Sequence, residues 1–268
     1  MLNDIAAKDL FGRTGSFLYA PEYLIFFVLA IATAIVLPIL FRKLPYQKVR
    51  KILIALWVCC LVYDIVKHLI SWSGYISSGE PFNLKTALPL HTCSSFWYMP
   101  AVALFAKKDS LKNAASCYIC TINMFGGIIG MFMSFDMMSC YSFFSFYGSQ
   151  TMIYHAILFI FPAIMLGTEY YKPKAKHVFG GYIVFLAIAI PVFIFNNIFK
   201  ADYMYTYNSS LLPIFKPLAD SMPHRLVWTL VSLSAYFIIT VVFHFAAIGI
   251  RHLIHSRSAD TKTVTQTN

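Results

Sequence analysis

Residues 20–41 read APEYLIFFVLAIATAIVLPILF, with Glu22 as the only charged residue. As a helix such a run is about 33 Å long, close to the thickness of a bilayer's hydrocarbon core. It lacks a small-residue cleavage site after a short apolar core, so it reads as a membrane span rather than a signal peptide. Six further apolar runs follow, at approximately 51–72, 88–106, 113–135, 151–168, 179–199 and 226–250. All are continuous rather than alternating, which predicts helices and not a barrel. Pro38, Pro89, Pro100, Pro162 and Pro191 fall inside these runs. A bundle tolerates them, because neighbouring helices can satisfy the freed carbonyls.

Composition agrees. Of 268 residues, 59% are hydrophobic, 17% aromatic and only 12% charged, against about 25% charged in soluble domains. Mean hydropathy is +0.67. A water-soluble enzyme and a disordered chain are both excluded. The expected fold is all-α: a polytopic bundle of seven transmembrane helices in the cell membrane, residues 1–255. A polar tail, 256–268, is expected to be disordered.

The net charge of +10 has a use that requires no partner. The first, third and fifth connections and the tail together carry fourteen Lys and Arg, and the opposite side carries six. By the positive-inside rule the amino terminus lies outside and the tail is cytoplasmic. No nucleic-acid partner is therefore inferred. The six cysteines sit mostly within apolar runs, which argues against a disulfide framework.

Ionisable and amide groups inside spans mark functional sites by default. Asp64, Lys67 and His68 share one face of the second span. The third opens with Leu88-Pro89-Leu90-His91-Thr92-Cys93-Ser94-Ser95, a dense polar group at a span entrance. Asn123 lies in the fourth, Asp136 near its end, His155 in the fifth, and Asn196 and Asn197 end the sixth. With the orientation above, His68, His91, Asp136, His155, Asn196 and Asn197 fall in the outer half. The coincidence of depth predicts a water-accessible outer cavity lined by His68, His91 and His155, with Asn196 or Asn197 on its wall. No local spacing demands a metal, and no cofactor is expected. Cys117-x-x-Cys120 and Gly126-x-x-x-Gly130 read as packing features, and His244 as structural. The long sixth connection, rich in tyrosine, is expected to lie on the membrane surface or to cap the bundle.

Leu88-Pro89-Leu90-His91-Thr92-Cys93 resembles the signature of a bacterial integral membrane family, the YwaF type. Tyr154-His155 fits the same pattern, and so does Asn196-Asn197 with Asp202-Tyr203-Met204-Tyr205 and Lys216-Pro217. The resemblance covers residues 88–217 and adds Tyr203 and Lys216 to the candidate substrate-binding residues. The family is grouped with vertebrate transmembrane protein 164, an acyltransferase acting on ether phospholipids through a cysteine. Alignment puts that cysteine just before the residue matching His91, where this chain has Leu90, while Cys93 lies three residues on. The resemblance therefore implies a lipid-facing fold with histidine chemistry, without carrying over the nucleophile.

Three functions stay open at this point. The first is a membrane-embedded lipid acyltransferase or acyl hydrolase acting on a phospholipid or other acyl lipid. His91, His155 and Cys93 would be catalytic, and Asp64, Lys67, His68, Asn123, Asp136, Asn196, Asn197, Tyr203 and Lys216 would contact substrate. The second is a transporter or channel for a small solute or proton. The third is a non-catalytic membrane scaffold. The oligomeric state is not legible.

Overall fold

The computed structural model describes residues 21–79, 81–133, 142–207, 216–222 and 224–265, and every regular element among them is helical. Helix α1 spans Pro21–Phe41 and α2 spans Tyr46–Ser78. A 3-10 turn, Cys93–Trp97, leads into α3, Met99–Phe105. Helix α4, Asp109–Tyr118, continues through a π turn, Ile119–Asn123, into α5, Met124–Met133. Then come α6, Phe146–Gly167, and α7, His177–Phe199. A short 3-10 turn at Tyr203–Tyr205 precedes α8, Lys216–Ser221, and α9, Arg225–Thr265. The backbone of α9 runs on into the polar segment that composition marked as a disordered tail.

Six stretches among the described residues are long and apolar enough to cross a membrane: α1, α2, the α4–α5 helix, α6, α7 and Arg225–His252 of α9. This is a multi-pass membrane protein. Local chemistry sets the ends. Helix α2 stops at Gly79, whose φ of +69° only glycine adopts without strain. Helix α6 starts at Ser145, whose side chain accepts the Gly148 N–H at 3.1 Å.

Burial separates two central helices from the rest. In their apolar windows 61% of the α4–α5 helix and 56% of α6 is buried, against 17–28% for the others. Leu158, Phe161, Ile164 and Met165 of α6 are fully enclosed, as are Cys117, Ile119 and Ile122. The outer helices turn apolar side chains outward: Leu24, Ile25, Val28 and Leu29 of α1 are each more than half exposed. In water that pattern would be costly, but against lipid tails it is neutral. Helix α6 packs on α1, α2 and α5, while α4 packs on α7 and α9 lies against α7 and the π turn.

The run 88–106, predicted as a regular helix, is not one. Only Cys93–Phe105 is helical, and 87–92 is irregular. Pro89 offers no N–H and Pro100 removes another, so this backbone cannot close a full helical ladder. Side chains take over instead. Trp72 Nε1 donates to Ala87 O at 3.0 Å, Trp57 Nε1 to Trp97 O at 3.1 Å, and Arg50 Nε to Leu104 O at 3.1 Å. The segment thus runs antiparallel along α2 from the level of Trp72 to that of Arg50. That stretch of helix rises about 33 Å.

Candidate functional site

The irregular entrance of this segment is held from several sides. Thr92 O accepts the Ser95 hydroxyl at 2.5 Å and Asn123 Nδ2 at 2.9 Å. Ser95 has one proton and gives it to Thr92, so Asn123 Nδ2 at 2.9 Å and the Tyr118 hydroxyl at 2.8 Å must donate to Ser95 Oγ. Tyr154 OH donates to Cys93 O at 2.9 Å. Asn123 closes the π turn, a local distortion frequent at functional sites. Carbonyls that a regular helix would have used are therefore fixed by buried side chains of the two central helices.

Beside this entrance sits Asp64, only 3% exposed. One oxygen accepts Trp97 Nε1 at 2.6 Å and the other Gln150 Nε2 at 2.7 Å. Lys67 Nζ and His68 Nε2 each lie 3.9 Å from the carboxylate, as their spacing on one helical face predicts. The His68 ring also meets Trp97 edge-on, centroids 5.4 Å apart. A buried carboxylate needs this many partners.

The other two histidines have defined tautomers when neutral. The Met204 N–H points at His91 Nδ1 at 3.4 Å. An N–H can only donate, so Nδ1 accepts and Nε2 of His91 carries the proton. His155 is the reverse. Its Nδ1 lies 2.7 Å from Thr151 O, which can only accept, so Nδ1 holds the proton and Nε2 keeps a bare lone pair. One ring presents a donor and the other a base.

His91 is packed against Tyr203 and Tyr205, with centroids at 5.1 and 5.6 Å. It lies within electrostatic reach of Lys67 and His155. Cys93 and His155 both lie within such reach of Asp64 and Lys67. His68 thus lies at the Asp64–Lys67 pair, and His91, Cys93 and His155 lie in its wider electrostatic surroundings. Three buried oxygens of the two central helices, Asn123 Oδ1, Gln150 Oε1 and Thr151 Oγ1, have no hydrogen-bond partner among the described residues.

The remaining candidates are placed differently. Asn196 is fully buried but holds the loop after α7. Its Nδ2 donates to Tyr203 O at 2.7 Å and Thr206 Oγ1 at 3.0 Å, and its Oδ1 accepts Tyr203 N at 3.1 Å. Tyr203 OH accepts Leu88 N at 3.0 Å and donates to Leu84 O at 2.9 Å, tying that loop to the approach to His91. Met204 and Tyr205 have φ of +57° and +54°, a left-handed backbone costly for such side chains. The described part of the loop is largely buried and aims the Met204 N–H at His91. Asn197 is exposed and bonds back to Phe193 O at 2.8 Å. Lys216 opens α8, and Asp136 lies outside the described residues. Two cavities, of 420 and 570 Å³, lie elsewhere, and neither is lined by a histidine.

Trp97 and Gln150 escape a reading of the sequence, while Ser95 and Tyr154 stand in its quoted motifs without a role. Gln150 and Tyr154 stand one helical turn apart on α6, a signal that was there to read. The same reading also separates Cys117 from His244. Cys117 Sγ lies 3.3 Å from His244 Nδ1, and His244 Nε2 lies 2.9 Å from Lys174 O, so the imidazole accepts from the thiol. Both residues are buried, and a Cβ at Gly181 would come within 2.6 Å of the sulfur. This pair is sealed between α4, α7 and α9.

No curated protein and no solved structure matches the chain. The TMEM164 family model matches residues 17–250, a stretch that takes in five of the six candidate spans whole, the sixth to within two residues of its end, and every described site residue above. The chain belongs to the TMEM164 family.

Proposed function

We propose that the protein is a membrane-embedded enzyme of acyl transfer or acyl hydrolysis on a phospholipid, working at the His91–Cys93–His155 cluster. The observation that carries this reading is the complementary pair of tautomers. His155 offers an unprotonated Nε2 and His91 a protonated one, and Cys93, at the start of the 3-10 turn, shares with His155 the surroundings of the Asp64–Lys67 pair. In this reading His155 takes the Cys93 proton, and the thiolate attacks the acyl carbonyl. His91 Nε2–H donates to the developing oxyanion. The C–O bond breaks, the departing lipid alkoxide takes the proton from His155, and a thioester remains. A second lipid hydroxyl, or water, then reverses the sequence. The three unpartnered oxygens would receive hydroxyl protons of the polar substrate.

The bacterial YwaF type is the branch of the family that the motifs favour, with the cell membrane as its location. The seventh crossing is the irregular 87–105 segment, which gives an outside amino terminus and a cytoplasmic tail by the basic-residue count. The site then lies in the outer half.

The test is reconstitution of the purified protein in phosphatidylcholine vesicles with a labelled acyl phospholipid and a lysophospholipid acceptor. Label should move to the acceptor or to free fatty acid, and Cys93→Ser and His155→Ala should abolish the transfer. The second reading, transport, draws on the buried Asp64–Lys67–His68 group. Absence of acyl movement together with a proton or solute flux lost in Asp64→Asn would replace the enzymatic reading by that one.

A further inference from the structure

On the face that carries the basic loops, a cavity of 420 Å³ is lined by Tyr46, Val49, Thr168, Glu169, Tyr170 and Lys172, among others. The rings of Tyr46 and Tyr170 stack with centroids 4.6 Å apart and planes within 7°. Lys112 Nζ lies over both rings, 5.1 and 5.3 Å from their centroids, and 2.5 Å from Tyr46 OH. Arg50 stands beside Tyr170 with its Nε bound to Leu104 O.

The charge does not balance. Glu169 is met by Arg251 at 2.9 Å and Lys172 at 3.1 Å, two cations on one carboxylate. Arg50 and Lys112 have no carboxylate within salt-bridge distance among the described residues. Lys172 and Glu169 line the cavity itself, while Arg50, Lys112 and Arg251 stand against its lining residues, so the surroundings carry more positive than negative charge and favour an anion. Independently, Tyr170 is only 7% exposed, and among the described residues its hydroxyl meets no hydrogen bond of normal geometry, although Tyr46 and Arg50 lie within interaction range of it. Burial pushes this phenol up, which keeps it a donor. An orphaned donor in a basic cavity is a place for an acceptor that arrives from outside.

We infer that this cavity binds the phosphodiester head group of an anionic phospholipid from the leaflet on the basic side. The phosphate accepts from Tyr170 OH, Arg50 and Lys112, and Leu44 and Val49 border the start of the acyl region. Phosphate is the acceptor that matches a guanidinium fork, an ammonium and a phenol together. A lipid source fits the setting, because Tyr46 opens α2 and Tyr170 follows α6, at the level where spans meet head groups. This site lies apart from the His91 cluster and does not depend on the acyl-transfer reading.

The test uses the full-length protein in a neutral maltoside detergent with dioctanoyl phosphatidylglycerol, dioctanoyl phosphatidylcholine or sodium phosphate as probe. Native mass spectrometry counts retained lipid, and a thermal shift reports binding. Phosphatidylglycerol should be retained as one molecule per chain and raise the melting temperature, with phosphatidylcholine and phosphate well behind. The Arg50→Gln, Lys112→Gln double variant should weaken retention about tenfold or more. Tyr170→Phe, which keeps the stacked ring, should weaken it several-fold with an unchanged melting temperature without lipid. A charge-matched control, Lys107→Gln with Lys108→Gln in the neighbouring loop, should bind like the wild type. Equal losses in the control and the Arg50/Lys112 variant would overturn the site, as would equal retention of phosphatidylcholine. A shift by sodium phosphate as large as that by the lipid would overturn the lipid source.

Discussion

The imidazole of His155 fills the space that Gly130 leaves empty: a Cβ built on Gly130 would lie 1.9 Å from His155 Cδ2 and 2.3 Å from Nε2. The Gly126-x-x-x-Gly130 pattern therefore does more than bring two helices together. Gly127 sets the backbone distance, since its Cβ would meet His155 O at 2.7 Å, and Gly130 then admits the ring. Gly130→Ala should displace His155, cost about 1–3 kcal/mol in stability through overpacking, and remove activity as completely as His155→Ala. Gly126 supplies the control, because its Cβ would meet nothing within 4 Å. Gly126→Ala should be neutral or stabilising by about 0.5–1 kcal/mol. Thermal melts and acyl-transfer rates of the three variants check this. Equal damage from Gly126→Ala and Gly130→Ala would show that helix contact, not the ring, is what the glycines serve.

The tautomers make a second prediction. Glutamine at 91 keeps a hydrogen-bond donor but provides no imidazole. His91→Gln should retain a measurable rate, while His91→Ala should fall by about 10²–10³ in kcat, the scale of one lost oxyanion donor. At 155 a base is needed, so Gln and Ala should be equally inactive, with losses of about 10²–10⁴. A rescue by Gln at 155 and none at 91 would reverse the assigned roles.

Asp64 is a matter of stability first. Asp64→Ala would strand the Trp97 and Gln150 N–H groups and leave Lys67 without its carboxylate. Breaking a buried ion pair by removing one partner costs about 3–5 kcal/mol. Asp64→Asn keeps an acceptor for one donor and should cost less. Membrane abundance and melting temperature should fall in the order wild type, Asn, Ala. Wild-type stability in Asp64→Ala would mean that these contacts contribute nothing.

Asn196 and Asn197 are adjacent in sequence and opposite in consequence. Asn196→Ala removes three buried hydrogen bonds from the loop that carries Met204, each worth about 1 kcal/mol and more where a partner is left stranded. Hydrogen exchange at residues 201–207 should accelerate by an order of magnitude or more, and the rate should fall with His91 no longer held. Asn197→Ala, exposed on the helix exterior, should change neither. Equal exchange in the two variants would remove the loop from the argument.

These contrasts also show what the sequence made legible. Lipid demands long uninterrupted apolar runs, so α1, α6 and α7 can be read almost by length. The same demand made 88–106 visible as an apolar run but hid its irregular backbone. The residues that replace its helical bonds, Trp57, Trp72 and Arg50, lie 15 to 54 positions away from the groups they bind. Polarity inside a span marked Asn123 and Asn196 as significant, yet each binds carbonyls or backbone N–H groups, and backbone partners leave no trace in residue identity. For Cys117 and His244 the partner lies 127 positions away. Only folding brings the two together.

The lateral bonding of residues 87–105 has a consequence for biogenesis. Most spans here carry their backbone hydrogen bonds within themselves and can leave a translocation channel for lipid one at a time. Residues 87–92 cannot, since carbonyls such as Ala87 O and Thr92 O are met by Trp72 behind them and Asn123 ahead. In hydrocarbon an unmet peptide group costs several kcal/mol. If 87–105 crosses the bilayer, as proposed above, its insertion should be coupled to that of α2 and the helix 109–133, which supply the partners its carbonyls lack.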